Sequence, residues 1–287
     1  MALTINTNLS ALIVQNNLAS ATDALNQSIE RMTTGYKINS AKDDAAGYAV
    51  ATKLETNLSS IAVAQNNVAM GSSLLSTAES TYDLVITHLQ RIRDLTEEAA
   101  NGTYSTDSIN AIKSEIEARW DEIDRISATT EFNGIKLMDG TGTPATNGVT
   151  LQVGIDSSAN SKIVVDKTVF GKADTKTLMG NVEKSTFTDY FVPGGTNYGT
   201  ALTAVDTALA TLTTRQTQIG AMQNRLDSAA EGLVVQHDNL ASSLSTIKDA
   251  DIAAESSNYI KAQILQQASA SLLSVANQSP SIALNLI

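Results

Sequence analysis

From Val205 the chain sets an apolar residue at every seventh position, with Leu212, Ile219, Leu226, Leu233, Leu240 and Ile247 completing the series. Strands repeat every two residues and a straight isolated helix drifts off a strict seven-residue step, so a series this long specifies a helix held lengthwise against another helix. A second series runs through Ile61, Val68, Leu75, Tyr82 and Leu89, with partner positions at Ala64, Gly71, Ala78, Val85, Ile92 and Ala99. Between the two lies a shorter amphipathic segment carrying Ile109, Ile112, Ile116, Ile123 and Ile126. It is entered after an Asn101-Gly102 turn and left before Asn133-Gly134. The expected scaffold is two long helices and one shorter one, packed along their lengths.

Composition agrees. Aromatic residues are 4% of the chain, and cores built from Ala, Leu, Ile and Val favour helices side by side. A formal net charge of −11, without a Lys/Arg cluster, excludes a phosphate-binding surface, so no nucleic-acid partner is expected. The absence of cysteine removes disulfides, thiolate catalysis and Cys-ligated metals. The two histidines, His88 and His237, stand in no HExxH or other ligand-spaced group, and neither GxSxG nor GxxxxGKS occurs. His237 falls in the heptad register as a packing residue. The acidic groups at Asp43-Asp44, at Glu97-Glu98 and at Asp121, Glu122 and Asp124 point in different directions on helices, which suits a solvated face better than paired acid–base work. No catalytic, cofactor or metal site is expected, and the chain is not expected to be an enzyme.

The ends are unusual in charge. Residues 1–29 carry one charged side chain, Asp23, and none follows Lys261. Both ends keep helical spacing, with Leu18, Leu25, Ile29 and Met32 in the first and Ile260, Ile264, Ala268, Leu272 and Val275 in the second. Apolar stripes at steps of three and four read as the seam of a helix pair. Leu18, Leu25, Ile29, Ile260, Ile264 and Leu272 are therefore the candidate self-assembly residues. The uncharged flanks imply further cover, so the ends are expected to be disordered in a free chain and to fold on association. The N-terminal MALTINTNLSALIV lacks the basic region of a secretory signal, its first cation being Arg31, and no run of 18 apolar residues exists. Neither membrane insertion nor export by that route is expected.

Residues 134–198 hold the turn pairs Asp139-Gly140 and Asn147-Gly148 and the alternating runs VTLQVGI and KIVVDKTVF, which predict small β-hairpins inserted between helical arms. Ser40 followed by Asp43 predicts a helix-start box, with the Ser hydroxyl accepting a backbone N–H. The fold class is thus mainly α: a long antiparallel coiled-coil-like bundle formed by the N- and C-terminal arms, with a small β-hairpin insert in the middle.

The segment Ile38 to Gly47, INSAKDDAAG, resembles the signature of bacterial flagellins. INTNLSAL and QNNL near the start, LQRIRDLTEEAANGT at 89–103, EIDRISATTEFNG at 122–134 and VANQ at 275–278 carry the same resemblance, over roughly 1–135 and 200–287. It implies an exported subunit that polymerises helically into the flagellar filament, secreted and extracellular. Residues 1–45 with 246–287 would be the inner-tube helices and 46–245 the helical body, with the variable insert 134–198 facing outward. It implies as partners further copies of the chain, an export chaperone and the type III export apparatus, filament-cap and hook-junction proteins, and Toll-like receptor 5. The family's receptor-recognition positions fall on Arg91, Leu95 and Glu115, which equally suit packing or inter-subunit roles. The closing IALNLI lacks the arginine that often ends the family. A hook–filament junction protein, a metallopeptidase-bearing flagellin and a coiled-coil signalling or adhesion protein are the other readings; the missing HExxH argues against the second.

Overall fold

The computed structural model describes residues 8–141, 143–192 and 197–284. The first residues of the INTNLSAL segment and the last three of IALNLI lie outside the described residues. Five long helices dominate among the described residues: α1 (Leu9–Thr34), α2 (Ala45–Ala99), α3 (Thr106–Thr129), α7 (Tyr198–Lys248) and α8 (Ile252–Leu284). Two compact units result, one of residues 59–236 and one of 1–58 with 237–287.

In the first unit the series from Ile61 and, as far as Leu233, the series from Val205 form the core, whereas Leu240 and Ile247 are half-buried and lie in the other unit. Ile61, Leu75, Tyr82, Leu89, Val205, Leu212, Ile219 and Leu226 are completely buried, each such aliphatic side chain contributing about 1.5–3 kcal/mol by leaving water. Flanking rungs set the antiparallel direction of α2 and α7: Arg93 Nε donates to Asp206 at 2.8 Å, Gln216 donates to Asp83, and Gln223 Nε2 donates to Glu79 at 2.9 Å. Helix α3 starts where Ser105 Oγ accepts the Ser108 N–H at 3.3 Å, and it folds back on α2 with its five isoleucines and Trp120 buried.

The insert is only partly β. Asn133 (φ 49°) and Gly134 (φ 77°) make a two-residue turn with both φ positive between β1 (Glu131–Phe132) and β2 (Ile135–Lys136), the form that suits strand twist. After α4 (Thr143–Asn147), β3 (Val149–Gln152) pairs antiparallel with β4 (Lys162–Val165) in the register Val149↔Val165 to Gln152↔Lys162. Gly71 of α2 has a packing reason, since a Cβ there would lie 2.5 Å from Leu151 Cδ1 of β3.

Beyond Val165 the expected hairpins give way to turns and the short helices α5 (Thr175–Leu178) and α6 (Lys184–Asp189). An aromatic chain explains the change. Trp120 of α3 meets Phe187 at 5.3 Å between ring centroids, Phe187 meets Phe191 at 5.4 Å, and Phe191 meets Tyr198 at 5.8 Å. Side chains of the long helices satisfy the intervening backbone. Tyr82 Oη donates to the Val169 carbonyl, Arg215 donates to the Gly171 carbonyl at 2.7 Å, and Asp124 accepts from the Thr175 N–H at 2.8 Å.

In the second unit α1 ends at Gly35, whose φ of 76° is the left-handed cap that glycine adopts without strain. An isolated bridge between Tyr36 and Asp249 follows, closed by Lys37 N–H to the Lys248 carbonyl at 2.7 Å and Ala250 N–H to the Gly35 carbonyl at 2.8 Å. The INSAKDDAAG segment divides its labour differently from the expected box. The Ser40 hydroxyl donates to the Asp43 carboxylate, which also accepts the Ser40 N–H at 2.9 Å, whereas Asp44 caps α2 by accepting the Ala46 and Gly47 N–H groups. These backbone and hydroxyl donors hold the Asp43 carboxyl below its ordinary pKa. A Cβ at Gly47 would come within 2.7 Å of Ile38 Cδ1, so the closing glycine lets buried Ile38 sit against the first turn of α2.

Candidate assembly surface

Helices α1 and α8 run antiparallel. Asn8 Nδ2 donates to the Ala276 carbonyl at 2.8 Å, Gln266 Nε2 to Thr22 Oγ1 at 3.2 Å, and Arg31 lies 3.8 Å from Glu255. The ends expected to be disordered are helical and paired in this structure. Their seam uses two interleaved seven-residue series on each helix: Val14, Ala21, Ser28 with Leu18, Leu25, Met32, against Glu255, Ala262, Ser269, Ala276 with Tyr259, Gln266, Leu273. Only Ala21, Ser28, Glu255 and Ala262 of these are fully buried. Small residues at the contact let the backbones come within 8 Å of each other at repeated positions, which α2 and α7 manage at isolated positions at most.

The large apolar side chains therefore look elsewhere. Ile260 is 54% exposed, Ile264 60%, Leu272 57% and Val275 64%, and Ile29 of α1 is 44% exposed. The expectation that this stripe forms the seam is corrected: it is the outer face of α8, and Leu18 and Leu25 alone of the six candidate residues are half-buried at the seam. Leu12, Ile13, Ile252 and Leu265 extend the apolar exposure. A groove of about 640 Å³ runs along the pair over a floor of small residues that includes Ala21, Ala24, Ala262 and Ala268. Exposed apolar surface spread over two neighbouring helices marks a site of protein contact.

A second surface lies where α3 returns along α2. Arg91 Nε donates to Glu115 at 3.0 Å, Arg119 donates to the same carboxylate at 3.0 Å, and Arg119 stands 3.4 Å from His88 Nδ1. The two guanidinium donors, Arg91 first, hold the Glu115 carboxyl below its usual range, and burial followed by the Arg119 charge lowers the His88 pKa. Arg91 and Glu115 are accessible, but Leu95 is 1% exposed and offers a receptor no surface in this conformation. Among the described residues no cluster of His, Cys, Asp and Glu could hold a metal ion, and no helix is long and apolar enough to cross a membrane.

Long antiparallel helices that end in a sparsely charged pair with large apolar residues outward define a self-assembling structural protein. Residues 5–143 match the bacterial flagellin N-terminal helical region, and residues 202–287 match the bacterial flagellin C-terminal helical region. The chain belongs to the bacterial flagellins, the structural subunits of the flagellar filament, which are not enzymes. It is 37% identical to a flagellin of Xenorhabdus nematophila over 100% of both chains, and 34% identical to the flagellin of Bacillus subtilis (strain 168) over 99% of each. A putative flagellar hook-associated protein from Vibrio parahaemolyticus shares the fold, with a TM-score of 0.60 at 18% identity over 72% of this chain and 100% of that one. That likeness concerns fold alone.

Proposed function

We propose that this filament subunit polymerises through the α1–α8 pair, which lies against neighbouring copies with Ile29, Ile260, Ile264 and Leu272 as the main contacts and Leu18 and Leu25 tying the pair together. In this reading residues 1–45 and 246–287 form the inner tube, and 46–245 form the surrounding body with the 134–198 insert outward. The observation that carries it is the inversion at the chain ends, where the buried seam positions are Ala21, Ser28, Glu255 and Ala262 while Ile29, Ile260, Ile264 and Leu272 stay in water. The accessible Arg91–Glu115 pair serves as a contact to a neighbouring subunit or to Toll-like receptor 5. Export through the type III apparatus with a chaperone, delivery past hook-junction proteins to a filament cap, and an extracellular location complete the proposal.

Seeded polymerisation of the purified chain is the test. Ile264→Asp, or removal of residues 262–287, is expected to abolish elongation while the 59–236 unit keeps its cooperative unfolding. Normal filaments from either variant would sink the proposal. Long filaments from the unmodified chain alone separate a filament subunit from a hook–filament junction protein.

A further inference from the structure

Asparagine precedes glycine at three places, Asn101-Gly102, Asn133-Gly134 and Asn147-Gly148. In such a pair the glycine backbone nitrogen can attack the asparagine Cγ. An N–Cγ bond forms, the Cγ–Nδ2 bond breaks, and ammonia departs with the proton lost by the backbone N–H. Water then adds to either carbonyl of the resulting succinimide and opens it to aspartate or isoaspartate, so that asparagine plus water becomes an acid plus ammonia. Three conditions favour the step: a backbone nitrogen not engaged in a hydrogen bond, torsional freedom at the pair, and a polarised side-chain carbonyl.

The three sites differ on these counts. The Gly148 N–H donates to the Pro144 carbonyl at 3.0 Å, and a Cβ at Gly148 would meet the Val165 carbonyl oxygen at 2.4 Å, so that pair is occupied and walled in. Asn133-Gly134 is fixed at positive φ by the β1–β2 ladder, which Leu137 N–H closes on the Thr130 carbonyl at 3.2 Å. At Asn101-Gly102, as at Asn133-Gly134, both residues are exposed, nothing stands within 4 Å of the glycine Cβ direction and the glycine N–H meets no acceptor among the described residues; what sets Asn101 apart is that its turn lies outside any strand pairing and has no positive-φ residue. The Asn101 side-chain oxygen accepts the Thr103 N–H at 3.3 Å, which draws electron density from Cγ.

We propose that Asn101 is a self-modification site, at which the folded chain converts asparagine to aspartate or isoaspartate selectively over its two other Asn-Gly pairs. The new carboxylate would stand just past the C-terminus of α2, beside Glu97 and Glu98, where the helix dipole and the like charges disfavour it. Isoaspartate would also add a backbone carbon to the turn that brings α3 back along α2. Modification thus loosens the α2–α3 junction that holds Arg91 against Glu115.

The test incubates the full chain at mildly alkaline pH in heavy-oxygen water and maps tryptic peptides by mass. The three pairs fall on separate peptides, Asp94–Lys113, Ile126–Lys136 and Leu137–Lys162. Label is expected to enter Asp94–Lys113 roughly tenfold faster than the other two, and Gly102→Ala should slow it by about as much, because alanine lacks the glycine's backbone freedom. In urea the three rates should converge. Equal rates in the folded chain, a lead by Asn133 or Asn147, or a preference for Asn101 that persists unchanged in urea would each overturn the proposal.

Discussion

Along α2 and α7 of the body, the series from Ile61 to Leu89 and from Val205 to Leu233 bury Leu, Ile, Val and Tyr to 4% exposure or less, whereas at the seam of the α1–α8 pair only Ala21, Ser28, Glu255 and Ala262 are buried and Val14, Leu18, Leu25, Met32, Tyr259 and Leu273 stay half in water. Both regions are antiparallel helices with the same repeat, so periodicity does not distinguish them. What separates them is where the large side chains point. The body buries them inside one chain and can be stable alone, while the pair leaves them for other molecules to cover. In the proposed polymer, folding and assembly would thus use different faces of similar helices.

The contrast can be broken most severely in the body. Phe187→Ala removes the middle ring of the Trp120–Phe187–Phe191 chain at a fully buried position, and a loss of about 3–5 kcal/mol is expected in denaturant unfolding of the body. Ala262→Leu attacks the tight seam instead. Overpacking there should cost about 1–3 kcal/mol, read as faster amide hydrogen exchange across α1 and α8 with the body's exchange unchanged. Equal slowing or no change in α1 would show that the seam is looser than the close backbone approach implies.

Ile260→Ser sharpens the comparison from the other side. On the free chain it should shift stability by less than about 0.5 kcal/mol, because the side chain is already in water, yet it should raise the concentration needed for filament growth. A large loss of monomer stability would return Ile260 to the seam. The smallest effect belongs to the Arg91–Glu115–Arg119 group. Because Glu115 has a depressed pKa in the folded chain, its contribution is present above the ordinary glutamate range and lost as pH falls through the folded value. The melting-temperature difference between the natural chain and Glu115→Gln should therefore be constant at neutral pH and vanish in acid. Solvent exposure keeps it small.

The body was legible because Val205 to Leu233 and Ile61 to Leu89 are large, regular and matched to partners inside the chain. The outer stripe of α8 was misplaced for a physical reason: hydropathy says that Ile260, Ile264 and Leu272 want cover but not whether the cover belongs to the same molecule. The clue was in the other heptad phase, where Ala262, Ser269 and Ala276 offer a narrow contact. The Ser40 box misread a similar ambiguity, since adjacent Asp43 and Asp44 are both able to cap and only geometry assigns Asp44 to the helix. In the insert, Phe187 and Phe191 four residues apart were the signal for an aromatic cluster that begins on α6 and closes just beyond it, among residues that otherwise read as strand and turn.

The scarcity of ionic groups on the outward face of α1 and α8 also fixes how a polymer joined there responds to its surroundings. With few formal charges in the contact, added sodium chloride has little to screen, so association should be nearly indifferent to modest changes of ionic strength. Sulfate and excluded osmolytes should tighten it, and cooling should weaken it, because the attraction is dominated by water released from hydrocarbon.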